Sequence, residues 1–122
     1  MTEEQLALRR TIFEAFAATG EPPPLRDSPD LRALEAAHVV VLDRDARIVM
    51  AHPFAAHRDG ARVDAGRRTW WGNCAWDAYG IVHALGLRDA TITAQGLTTD
   101  VPGVVFEVAV PAARWWDDVE HT

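Results

Sequence analysis

The stretch Trp70-Trp71-Gly72-Asn73-Cys74-Ala75-Trp76-Asp77 decides how the chain is read, because a helical pattern opens within it and β-rich runs lie beyond. Residues 73–85 follow the helical period, with Gly86 placed to end it in a left-handed turn. Asn73 is a good N-cap residue, which puts Cys74 at the first helical position. Unpaired backbone N–H groups and the positive end of the helix dipole favour an anion there, so a thiolate is stabilised. Asp77 follows by three residues, which on a helix sets it beside Cys74 on one face. Two adjacent negative charges cannot share a site cheaply, so the pair is expected to hold one proton in common. A thiol that binds a soft electrophile, next to a carboxyl group that delivers a proton, suits cleavage of a carbon–metal bond. The alternative is structural: Asp77 as a first-turn carboxylate complementing the dipole, and Cys74 as core filling.

Working outward, Ala90-Thr91-Ile92-Thr93-Ala94 and residues 104–110 are β-rich runs, separated by a polar turn region with Pro102-Gly103. Residues 111–118 can form a last short helix carrying Trp115 and Trp116. Upstream, residues 55–72 are mixed, with one short strand expected over 61–64. Val39-Val40-Val41-Leu42 and Arg47-Ile48-Val49-Met50-Ala51, joined by Asp43-Arg44-Asp45, read as a β-hairpin. Before it, residues 3–18 form an amphipathic helix capped by Thr2 and ended by Gly20. A shorter helix starts at Ser28-Pro29 and runs to residue 37. The expected class is α+β: a helical, cut-down winged-helix-like front part over residues 1–54, then a small sheet packed on the cysteine-bearing helix over 55–122. The two parts are expected to make one compact unit.

Composition narrows the function. The chain has 122 residues, a net charge of -6 and twelve basic residues, all arginine. An acidic balance disfavours nucleic acid as a partner, since nonspecific binding depends on a basic surface. No apolar run approaches the ~18 residues that span a membrane, and the acidic start lacks the pattern of a secretory signal. A cytoplasmic protein is the expectation. A single cysteine excludes an internal disulfide and an all-thiolate zinc site. His38, His52, His57, His83 and His121 match no metal-ligand spacing, and none is given a metal role.

Residues 70–110 resemble the core of the alkylmercury (organomercurial) lyases. An aromatic stretch leads into a cysteine, two residues and an aspartate. An apolar helix containing Ile81-Val82-His83-Ala84-Leu85-Gly86 and the strand Ala90-Thr91-Ile92-Thr93-Ala94 follow. The front half is compatible with a shortened form of that family's winged-helix region. The resemblance implies that Cys74 is the sulfur nucleophile and a mercury ligand, and that Asp77 is the proton donor and a further ligand. Trp70, Trp71, Asn73 and Trp76 would line the ligand pocket. The family uses two cysteines; this sequence has one, and Gln95-Gly96 stands where a further cysteine can follow the strand. The implied member is therefore a shortened one that lacks the second catalytic cysteine. It has no resident cofactor, Hg(II) is its product or bound ion, and an external thiol supplies the missing sulfur. The partner is then a small-molecule substrate, with self-association left open. Two other readings stand beside it: a pocket that binds a small ligand or metal without turnover, and a regulatory protein that docks a partner.

Overall fold

A computed structural model describes residues 1–102. Helix α1 spans Glu3–Thr19 and α2 spans Pro29–Ala36. The ends of both helices follow from local chemistry. At α1 the Thr2 hydroxyl accepts the Gln5 N–H while the Gln5 side chain accepts the Thr2 N–H, a reciprocal capping box. Gly20 closes the helix at φ 78°, a left-handed geometry that costs glycine little. At α2 the Ser28 hydroxyl accepts the Leu31 N–H, and proline fills the first turn, where no N–H is needed.

Strands β1 (Val40–Leu42), β2 (Ile48–Ala51) and β3 (Phe54–Ala55) form one antiparallel sheet in the order β1-β2-β3. The expected hairpin is β1–β2. Its turn is held by Asp43, whose Oδ1 accepts the N–H groups of Asp45 and Arg47. The Arg47 N–H foremost holds this carboxyl below its ordinary pKa. A second antiparallel sheet has the order β5-β4-β6-β7, made of β4 (Ala61–Ala65), β5 (Arg68–Gly72), β6 (Asp89–Ala94) and β7 (Leu97–Pro102). Helix α3, Ala75–Ala84, packs across β4, β5 and β6. The architecture is α+β.

Four elements depart from the sequence reading. Strand β3 adds a third strand beyond the expected hairpin, pairing Met50↔Ala55 and Ala51↔Phe54. Strand β5 lies in the stretch that reads as mixed, and it pairs with β4 from Ala61↔Gly72 to Ala65↔Arg68. Strand β7 begins at Leu97, inside the stretch read as a polar turn. Gln95 and Gly96, both at positive φ, make a tight turn straight out of β6. Helix α3 starts one residue later than expected, with Cys74 as its N-cap. The strand expected at 104–110 and the tail helix at 111–118 lie outside the described residues.

One hydrophobic cluster joins the front and back halves, running from Ile12 and Phe16 through Leu31, Leu34 and Phe54 to Trp70, Ile81 and Val101. Phe54 is its hinge, stacked on Phe16 at 5.4 Å and edge-on to Phe13 at 5.3 Å. The indole N–H of Trp70 and a guanidinium nitrogen of Arg68 both donate to the Ala17 carbonyl, at 2.9 and 2.7 Å. Helix α1 has no basic residue in its last turn, so β5 supplies the cation that its C-terminal carbonyls attract.

Tight backbone approach fixes where α3 begins. A Cβ at Gly72 would sit 2.9 Å from the Ala78 nitrogen and 3.0 Å from the Asp77 Cβ. A Cβ at Gly60 would overlap the Gly72 carbonyl oxygen and come 2.7 Å from that of Asn73. Both contacts of Gly60 are with backbone, which cannot swing aside. Gly60→Ala is therefore expected to destabilise the fold by about 2 kcal/mol or more, as overpacking does. Urea denaturation checks this; an unchanged midpoint would show that the contact yields freely.

Candidate functional site

Cys74 ends β5's connection to α3 in extended geometry (φ -147°, ψ 175°), and its carbonyl accepts the Ala78 N–H as the helix begins. Asp77 is then the third helical residue. The helix turns Asp77 inward with Ala78 and Ile81 while Cys74, Ala75 and Trp76 stay on the surface. Asp77 is only 6% exposed, yet its neighbour in the pair is an exposed free thiol. The Cys74 Sγ donates toward Asp77 Oδ2 at 3.6 Å, a normal distance for a sulfur donor. Thiol and carboxylate are thus brought together, with the sulfur open to solvent and the acid beneath it.

The start of α3 does not present its free N–H groups to the sulfur as the sequence suggests. Asn73 is not the cap, because its Oδ1 lies 3.2 Å from His57 Nε2 instead of facing the helix. As N-cap, Cys74 makes no side-chain hydrogen bond to the first-turn N–H groups. The charge placed to complement the helix dipole is the Asp77 carboxylate in the first turn. The sulfur therefore meets the carboxyl group of Asp77 rather than free N–H groups.

The aromatic residues expected around a pocket separate. Trp70 is 1% exposed, with its polar edge committed to α1, so it is core. Trp71 lies next along β5, half-buried and paired with Arg62. Trp76 is 81% exposed, on the same surface as Cys74. Of the expected residues, Cys74, Asp77, Asn73 and Trp76 cluster at the start of α3, whereas Trp70 packs inward.

Two histidines in the segment before β4, to which the sequence assigns no metal role, approach the site. His52 Nδ1 stands 3.2 Å from Asp77 Oδ1, on the opposite carboxylate oxygen from the thiol. His57 reaches Asn73 as described, and its Nδ1 faces the Asp59 N–H at 3.4 Å. Both belong to the segment after β2, brought to α3 because β3 packs against β5 and α3. No spacing in the sequence signals this, since His52 and Asp77 meet only through tertiary packing. His83 is half-buried in the last turn of α3. Among the described residues no group of three or more His, Cys, Asp or Glu side chains is arranged to hold a metal ion. No helix among them is long and apolar enough to cross a membrane.

Comparison with family models, curated proteins and solved structures gives no match for this chain.

Proposed function

We propose that Cys74 and Asp77 form an alkylmercury-lyase-like site that captures an organomercurial, or a similar soft electrophile, and protonates its carbon–metal bond. The observation that carries this reading is the exposed thiol 3.6 Å from a buried carboxylate oxygen. Burial matters because it keeps bulk water from solvating the carboxylate and competing with the sulfur for it. Within the same reading, α1, α2 and the β1–β2 hairpin are a reduced winged-helix-like front part.

The organomercurial arrives as its small-thiol adduct. Sulfur of Cys74 bonds to mercury, the carried thiolate leaves, and the Cys74 proton passes to Asp77. The carbon–mercury bond then breaks with its electron pair going to carbon, which takes the Asp77 proton. Hydrocarbon departs, and mercury stays in the +2 state on Cys74 sulfur and the Asp77 carboxylate. With one protein thiolate the ion is held by fewer soft ligands than two cysteines would supply, so external thiols complete its coordination and remove it. That single thiolate also favours a second reading, in which the site binds the electrophile without turnover.

The test is incubation with an organomercurial and excess small thiol, with hydrocarbon and Hg(II) measured over time. Repeated turnover that vanishes in Cys74→Ser is the expected result. One equivalent bound at Cys74 with no hydrocarbon released supports the second reading and removes the first.

A further inference from the structure

One short stretch of chain grips the start of α3 from both sides of Cys74. His52 and His57, which lie between β2 and β4, contact the residue three after the thiol and the residue just before it. Gly60, at the end of the same stretch, presses against the backbone of Gly72 and Asn73. The two oxygens of Asp77 are consequently divided: Oδ1 faces the imidazole at 3.2 Å and Oδ2 faces the sulfur at 3.6 Å. The last torsion of an aspartate is broad and nearly two-fold, so burial alone does not fix where its oxygens point. A donor on one oxygen does.

Building on the thiol–carboxylate reading, we propose that His52 is a positioning residue that anchors Oδ1 of Asp77 and so aims Oδ2 at Cys74. It approaches from the solvent side, being more than half exposed, and reaches over a carboxylate that is itself buried. His57 does the equivalent for Asn73 and fixes the backbone that presents the thiol. Neither ring is required to touch the reacting atoms. Groups that orient a reactive group in this way commonly change its behaviour by about 10-fold or more when removed.

The test uses alkylation of Cys74 by iodoacetamide at fixed pH, with the full chain. Cys74 is the single cysteine, so the label reports one site. In His52→Ala the Asp77 carboxylate loses its anchor and Oδ2 is free to swing away from the S–H group, so the sulfur loses the acceptor that takes its proton as it is alkylated. Alkylation is expected to slow by about 10-fold. His52→Asn, whose side-chain amide can donate where Nδ1–H did, is expected to restore most of the rate. In an Asp77→Asn background the His52→Ala change is expected to lose its effect, because the ring acts through that carboxylate. An unchanged rate in His52→Ala, or a loss that persists undiminished with Asp77→Asn, overturns the positioning role. Organomercurial turnover separates this from the lyase reading. Coupled alkylation in a protein that releases no hydrocarbon supports the positioning role and removes the lyase; turnover without coupling overturns the positioning role alone.

Discussion

Asp77→Asn is expected to stop hydrocarbon release while Cys74 still captures the organomercurial. The substitution keeps the shape of a side chain that is 6% exposed, so packing around Ala78 and Ile81 is preserved. What it removes is the transferable proton. General acids of this kind contribute about 10²–10⁴-fold, so release should fall by that factor while one equivalent of mercury still binds. Loss of the first-turn carboxylate also removes a favourable dipole interaction of about 0.3–1 kcal/mol, small enough for the protein to remain folded. Headspace gas analysis beside a mercury-binding titration separates the two effects. Release at the undiminished rate from Asp77→Asn would take the proton donor's role away from Asp77.

Trp70→Ala is expected to give the largest loss of stability of any change considered, about 3–5 kcal/mol, as for other buried aromatic truncations. Three contributions combine at this residue. It is among the largest fully buried side chains, its indole N–H bonds the Ala17 carbonyl, and the Arg68 guanidinium lies 4.6 Å from its ring centroid. Removing the ring leaves a cavity between β5 and α1 and costs the cation its aromatic partner. Trp70→Phe retains most of the apolar surface but lacks the N–H donor, and is expected to cost about 1–2 kcal/mol. Denaturant unfolding of the two variants checks the order. Equal losses would mean that ring volume contributes little and the hydrogen bond nearly everything.

Legibility in the sequence followed the range of the interaction involved. The ends of α1 and α2 could be read because Thr2, Gly20, Ser28 and Pro29 act on backbone within a few residues of themselves. Cys74 and Asp77 could be paired for the same reason, since three residues along a helix fix their proximity. The cap was misplaced by one residue because the Asn73 oxygen is drawn away by His57, a contact from distant chain. Strand β5 is not legible because Arg68-Thr69, the paired tryptophans and Gly72 show no clean alternation of polar and apolar residues. Its pairing is set by β4 and by the fit of Trp70 into the core. Strand β7 was missed because residues 97–100 are exposed and mostly polar, leaving only Val101 buried among its described side chains. Its registration comes from cross-strand pairs such as Thr93 with Thr98 and Thr91 with Asp100. His52 can be placed in the segment that could approach the site, but no spacing pairs it with Asp77. Its place beside Asp77 exists only once β3 has docked.

The origin of the proton that reaches carbon tests the central claim most directly. Methylmercury presented with excess thiol in D₂O should yield methane bearing one deuterium, with one Hg(II) appearing for each molecule released. That outcome follows if the exchangeable proton shared by Cys74 and Asp77 is the one transferred. Recovery of all the methylmercury intact from Cys74, with no methane above the protein-free control, would contradict it.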